Sequence, residues 1–222
     1  MKMRAVAIDG PAGAGKSTIA RKLAGELGYI YVDTGALYRA IGLFVLGAGV
    51  DVKNEAAIKG LLAGLKVELR FVDTEQRVYL NDNDVTSKIR SEAVSMAASA
   101  VSALPSVRDF LLETQREIAR TNNVIMDGRD IATVVLPDAD VKIFLTASPE
   151  ERARRRYEQL LEKGVSADYE AVLADLLERD YNDSHRETAP LKPAEGSIKV
   201  DTTGNSLEES VNILSKIVKD NL

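Results

Sequence analysis

The chain has 222 residues, 45% hydrophobic and 28% charged, with a formal net charge of −5. That length accommodates one α/β core with a smaller attached unit, and the negative balance argues against a dedicated nucleic-acid binder while leaving room for a local basic site. There is no cysteine, which excludes a disulfide framework, thiolate catalysis and zinc held through sulfur, and no run of about eighteen apolar residues could span a membrane.

Met1 to Arg4 lead into the first element without an apolar signal region, and a cytoplasmic protein is expected. Ala5-Val6-Ala7-Ile8 reads as a buried parallel strand. Gly10-Pro11-Ala12-Gly13-Ala14-Gly15-Lys16-Ser17 follows with the spacing of a phosphate-cradling loop: backbone N–H groups close on phosphate oxygens, Lys16 adds charge and Ser17 offers a magnesium ligand. Ile19, Ala20, Leu23, Ala24 and Leu27 recur at helical spacing, and Gly28 can end that helix in a left-handed conformation. The loop therefore opens onto the positive end of a helix.

Tyr29 to Val32 predict a second strand, with Asp33 at the end where ligands gather in open α/β sheets. Thr34 is expected to cap the next helix, which sets Tyr38 and Arg39 near its first turn, free to meet an anion. A helix is expected over Asn54 to Leu65. The period then changes to two, with Val67, Leu69 and Phe71, then Val78 and Leu80 after a polar turn, predicting a small antiparallel insert that ends in a turn at Asn81 to Asp84. That acidic turn lacks the twelve-residue loop, glycine and bidentate glutamate of a calcium site.

A small-residue helix runs from Ser91 toward Leu104-Pro105 and another from Val107, with Ser99 and Arg108 flanking the break. Val124 to Asp127 resume the parallel pattern, followed by Gly128-Arg129-Asp130. Here Asp127 can hold magnesium through water, Arg129 can neutralise a phosphate, and Asp130 can accept from an amino group on a base. Val141 to Leu145 form a fourth core strand, and Ser148-Pro149-Glu150-Glu151 open a helix with a cap, a first-turn proline and a capping-box glutamate.

That helix carries Arg152, Arg154, Arg155 and Arg156, readable as a solvated ion-paired face, a nucleic-acid patch or a lid that closes on phosphate charge. The next helix favours the lid. Tyr169, Val172, Leu176, Arg179, Asp183 and Arg186 share one stripe that turns from apolar to charged, as when a helix leaves the core to line a polar cleft. His185, the one histidine, lies off it and reads as a surface residue. Ile198 to Asp201 are the fifth core strand, and Ser206 caps a last helix buried through Val211, Leu214 and Val218. The sum is an α/β fold, a five-stranded parallel sheet flanked by helices.

Four separated motifs resemble the bacterial cytidylate kinases, nucleoside monophosphate kinases of the P-loop class: Ile8 through Ser17, Asp33-Thr34-Gly35-Ala36-Leu37-Tyr38-Arg39, Asp127-Gly128-Arg129-Asp130, and Glu178 through Arg186. The resemblance covers almost the whole chain and implies magnesium-dependent transfer of the terminal phosphoryl group of ATP to CMP or dCMP. It implies a core of residues 1–65, 104–148 and 187–222, a nucleoside-monophosphate-binding insert at 66–103, and lid and acceptor-contacting helices at 149–186. Gly10, Pro11, Ala12, Gly13, Ala14, Gly15, Lys16, Ser17 and Thr18, with Arg152 and Arg156 from the lid, would hold ATP, and Ser17 the metal. Arg39 and Arg129 would grip the acceptor phosphate, Thr34 and Tyr38 line its pocket, and Ser99, Arg108 and Asp130 read cytosine. Arg179, Asp183 and Arg186 would reach sugar, base edge and phosphates. Lys16, Arg129 and Arg179 are the expected catalytic groups. Thr34 stands where related sequences often have serine, a departure that keeps the hydroxyl.

Asp9, Asp33 and Asp127 all end strands, and the sequence leaves open which of them supports the metal. Three other readings remain: a P-loop kinase for UMP, AMP or a non-nucleotide, an RNA-binding module built on the arginine helix, and a GTPase suggested by Asp201-Thr202-Thr203-Gly204. Only eighteen residues follow Gly204, too few for a guanine-reading element. The expected partners are ATP and CMP or dCMP, with no nucleic acid and no membrane, and the chain is expected to be a monomer.

Overall fold

The computed structural model describes residues 3–72 and 75–222. Met1, Lys2 and the polar turn expected at Asp73 and Thr74 lie outside those residues. The chain folds as β1 (Ala5–Asp9), α1 (Lys16–Leu27), β2 (Ile30–Asp33), α2 (Thr34–Gly47), α3 (Glu55–Leu62), β3 (Val67–Val72), β4 (Glu75–Leu80), β5 (Asn83–Asp84), α4 (Glu92–Val101), α5 (Pro105–Thr121), β6 (Val124–Gly128), β7 (Val141–Thr146), α6 (Pro149–Glu162), α7 (Tyr169–His185), β8 (Ile198–Asp201) and α8 (Leu207–Asn221).

β1, β2, β6, β7 and β8 form a parallel sheet in the order β2-β6-β1-β7-β8. Its strands are short apolar runs because helices cover both faces. Ile8, Ile125 and Ile143 face α1 and α8 through Ile19, Leu23 and Leu214, whereas Ala7, Val32 and Met126 face the opposite layer. Each fully buried side chain of this kind contributes about 1.5–3 kcal/mol. The register aligns Asp33 with Asp127 and Asp9 with Gly128, so one edge of the sheet carries all three strand-end carboxylates.

The small residues of α4 have a packing cause. A Cβ on Gly42 of α2 would stand 2.9 Å from the backbone nitrogen of Ala98, so the two helices meet almost backbone to backbone.

Four local expectations change in the structure. Asp33, not Thr34, caps α2, accepting from the Ala36 N–H at 3.0 Å. The helix expected from Asn54 to Leu65 stops at Leu62, with Asn54 as its cap. Asn81 and Asp82 turn with φ of 45° and 65°, and Asn83–Asp84 then pair back on β4 as a third antiparallel strand. Ser148 caps α6 by accepting from the Glu151 N–H, but the Glu151 carboxylate binds Arg154 and Arg155 instead of closing a capping box. The box forms completely at Ser206 and Glu209.

The insert is tied to the core at one point that sequence reading missed. The Gln76 amide accepts from the Asp33 N–H at 2.8 Å and donates to the Asp33 carbonyl at 3.3 Å. Because β2 is an edge strand, this side chain occupies the ladder position that another strand would fill.

Candidate active site

The loop between β1 and α1 has left-handed backbone at Gly13 and Gly15, with φ of 74° and 87°. Gly10 (φ 156°) runs hard against β7, where a Cβ would come within 1.9 Å of the Leu145 carbonyl oxygen. Ala14 is buried while Gly13, Ser17 and Thr18 face solvent. Lys16 is buried and donates from Nζ to the Pro11 carbonyl at 2.7 Å, closing the loop on itself. Burial, then the nearby Arg129 guanidinium, lowers its pKa well below the ordinary lysine range, against the pull of Asp127 and Asp9.

The three strand-end carboxylates have different tasks. Asp9 accepts from the Ile131 and Ala132 N–H groups, both at 2.8 Å, holding the turn after Asp130; burial nevertheless raises its pKa to about 6. Asp33 caps α2 and takes Arg39 Nη2 at 3.4 Å. Asp127 alone of the three meets the phosphate loop: its Oδ2 accepts from Ser17 Oγ and its Oδ1 from the Tyr31 hydroxyl, each at 2.9 Å. Burial and then Asp33 raise its pKa, while Lys16 opposes them.

Across from the loop lies the predicted acceptor side. Thr34 Oγ1 donates to the Asp127 carbonyl at 2.8 Å, which pins the start of α2 to the end of β6. Arg129 Nε donates to Asp183 Oδ2 at 2.7 Å, joining the β6 turn to α7. Asp130 is buried between Arg108, with which it forms a short charge-assisted pair, and Arg186 at 3.6 Å. Burial raises the Asp130 pKa, and the two guanidiniums act against it. Burial, followed by Arg108, lowers that of Arg186. The Arg108 guanidinium also lies 5.7 Å from the Tyr38 ring centroid.

The structure thus brings together Lys16, Ser17, Thr34, Tyr38, Arg39, Arg108, Arg129, Asp130, Asp183 and Arg186. Three expected residues sit differently. Ser99 is half-buried, and it is Ser102 that meets the arginines, through its carbonyl to Arg108 Nη1 at 3.0 Å and its hydroxyl to Arg186 Nη1 at 3.5 Å. Arg179 is half-buried and Arg156 exposed, and neither has a hydrogen bond or ion pair among the described residues. Arg152 is buried against the phosphate loop, donating from Nη1 to the Ala12 carbonyl at 2.9 Å. Besides Gln76 and Ser102, sequence reading passed over Tyr31, whose place inside an apolar strand disguised its hydroxyl, and it gave no separate role to Arg155, which donates to the Thr202 carbonyl at 2.8 Å.

The site can hold magnesium. A serine hydroxyl and a carboxylate converge within hydrogen-bonding distance beside the phosphate loop, a hard oxygen pair suited to an ion that keeps most of its shell for water and phosphate. No group of three or more His, Cys, Asp or Glu side chains that could hold a metal ion occurs among the described residues.

A glycine loop opening a helix at the carboxyl edge of a parallel sheet, faced by paired arginines and aspartates, defines a P-loop kinase. The model of one such family, described as cytidylate kinase, matches residues 6–220. A cytidylate kinase of Leuconostoc mesenteroides is 50% identical over 217 residues, 98% of this chain and 97% of the relative, and one of Carboxydothermus hydrogenoformans is 51% identical over 213 residues, 96% of each. The chain belongs to the cytidylate kinase family. At the level of fold, an uncharacterized protein from Eubacterium ventriosum superposes with a TM-score of 0.57 at 14% identity, covering 99% of both chains.

Proposed function

We propose that the chain transfers the γ-phosphoryl group of ATP to CMP or dCMP, giving ADP and the corresponding diphosphate. Family membership supports an ATP-dependent nucleoside monophosphate kinase. The observation that carries the acceptor side is the buried Asp130 between Arg108 and Arg186, a carboxylate that can accept from the cytosine amino group while its counter-charges stay in place.

In this reading Gly13 to Thr18 and Lys16 hold the donor phosphates. Ser17, with Asp127 behind it, would hold magnesium, which would supply charge neutralisation to the donor phosphates. Arg39 and Arg129 take the acceptor phosphate, and Arg179, free of partners among the described residues, can turn toward the transferring group. The acceptor oxygen is already anionic, so the site needs no strong base; it needs convergent positive charge that offsets repulsion between two polyanions. Thr34 and Tyr38 line the pocket, and Asp183 and Arg186 bind sugar and base edge. Residues 66–103 serve as the acceptor-binding insert and 149–186 as lid and acceptor helices, the lid excluding water from the reaction. The chain works as a monomer in the cytoplasm.

ADP release measured across CMP, dCMP, UMP and AMP, for wild type and Arg129→Ala, tests the proposal. CMP and dCMP are the preferred acceptors, and the variant loses turnover at least about 100-fold, as expected for a transition-state charge contact. Equal turnover of AMP, or near-normal CMP phosphorylation by the variant, overturns it.

A further inference from the structure

Asp180 stands on α7 between Arg179 and Asp183, pairs with Arg152 of α6, and acts on the nearby Arg129 through its charge alone. Its Oδ2 forms a 2.6 Å ion pair with Arg152 Nη1, while its Oδ1 is buried without a hydrogen-bond partner among the described residues. Arg152, 3% exposed, belongs to the first turn of α6. The same Nη1 donates to the Ala12 carbonyl at 2.9 Å, and Nε donates to the Ala147 carbonyl at 2.9 Å. One guanidinium therefore joins the phosphate loop, the segment after β7 and α7.

This junction has a stereochemical consequence. In a trans peptide the carbonyl and the following N–H point in opposite directions, and the described chain has no cis bond. With the Ala12 carbonyl drawn onto Arg152, the Gly13 N–H is turned away from α6. The fit leaves little slack, since a Cβ on Gly13 would lie 3.1 Å from Arg152 Cβ. Two neutral carbonyls cannot compensate a guanidinium this buried; its counter-charge is Asp180.

We propose that Asp180 is a positioning residue for the donor loop: by holding Arg152 on the Ala12 carbonyl it sets the direction in which the Gly13 amide is offered to the ATP phosphates. The same ion pair ties that loop to α7, the helix that carries Arg179, Asp183 and Arg186. The inference rests on the reading of Gly10 to Ser17 as the ATP loop.

Steady-state kinetics of the full chain test it. Asp180→Asn raises the KM for ATP about tenfold and the KM for CMP by a clearly smaller factor, because the donor amide loses what directs it while Arg129 keeps its own partner Asp183. Arg152→Lys, which cannot span both carbonyls and the carboxylate, shows the same split, and the double variant is no worse than the worse single one. An unchanged KM for ATP, an equal rise for both substrates, or additive effects overturn the proposal. Should Asp180→Asn fail to fold, Asp180→Glu keeps the charge and displaces it by one methylene; it must raise the KM for ATP selectively or the proposal fails. Lys16→Ala separates the two levels. If it keeps normal turnover, the donor-loop reading itself is wrong; if it is inactive while the Asp180 variants bind ATP normally, only the present inference falls.

Discussion

Replacing Asp130 by asparagine tests the acceptor pocket on two independent scales. The side chain is 6% exposed and lies between the side chains of Arg108 and Arg186, which are themselves 8% and 7% exposed. Removing one partner of a buried ion pair costs about 3–5 kcal/mol. The low end applies here, because Arg108 keeps the Ser102 carbonyl at 3.0 Å, and Arg186 keeps the Ala189 carbonyl at 2.8 Å and Asp183 at 3.9 Å. For a chain of this size about 3 kcal/mol corresponds to a fall in Tm of about 6–12 °C. The second scale is discrimination. A carboxylate only accepts, which suits the cytosine amino group and disfavours the uracil carbonyl, whereas the asparagine amide can present either its N–H or its oxygen. Loss of one charge-assisted hydrogen bond is worth about 1.5–3 kcal/mol, so the CMP-to-UMP ratio of kcat/KM should drop about 10- to 100-fold. Competition between CMP and UMP in one reaction, with the diphosphates separated and quantified, measures it. A folded variant with an unchanged ratio refutes the role in base reading, and an unchanged Tm refutes the ion-pair argument.

Lys16→Ala should abolish turnover with a Tm close to wild type, since it removes site charge from a group whose burial is itself unfavourable; thermal unfolding beside the ADP assay checks both halves. Gly10→Ala should fail to accumulate or lose several °C in Tm, because its Cβ would fall 1.9 Å from the Leu145 carbonyl oxygen in the sheet. Because the Lys16 pKa is lowered, the free enzyme loses that charge as pH rises at values well below the ordinary lysine range, and kcat/KM for ATP should show an alkaline limb there that Lys16→Arg removes. Asp9 gives the opposite kind of linkage. Its folded pKa of about 6 exceeds its unfolded value of 3.8, so the contribution of Asp9 to stability is fully present below about pH 4 and falls by about 3 kcal/mol as pH rises through 6. Urea unfolding of wild type against Asp9→Asn should show that difference growing between those pH values and level above them.

The parts of the fold written in local pattern were legible. Short apolar runs ending in a carboxylate mark β1, β2, β6 and β8, and the glycine spacing with Lys16-Ser17 marks the donor loop, because strand burial and phosphate contact are each decided within a few consecutive residues. What escaped depends on registry between distant segments. Asp9, Asp33 and Asp127 look alike in sequence, and only the register of β1, β2 and β6 separates a turn holder, a helix cap and a carboxylate bound to Ser17. Ser99 and Ser102 are one helical turn apart on or beside α4, and either could face α5 until the close packing at Gly42 sets the rotation of that helix. Asp180 is one acidic residue among many on α7 until α6 brings Arg152 beside it.

The arginines on the acceptor side are already paired with carboxylates, an arrangement suited to exchange of counter-charges. Arg129 lies on Asp183 and Arg39 on Asp33, so both guanidiniums that would receive the acceptor phosphate are already partly withdrawn from water, with side chains 27% and 23% exposed. An incoming phosphate would replace a carboxylate and strip only the remaining hydration, which lowers the desolvation cost of binding. The exchange is unequal at its two ends. Asp33 released from Arg39 still accepts from the Ala36 N–H at 3.0 Å, whereas the Asp183 carboxylate released from Arg129 retains, among the described residues, only Arg186 at 3.9 Å. A bare phosphate would therefore leave a carboxylate whose side chain is 12% exposed short of donors. A nucleotide whose ribose hydroxyl reached Asp183 would supply the missing donor, and in the proposed reading the pocket would discriminate for an attached sugar through the carboxylate that the phosphate displaces.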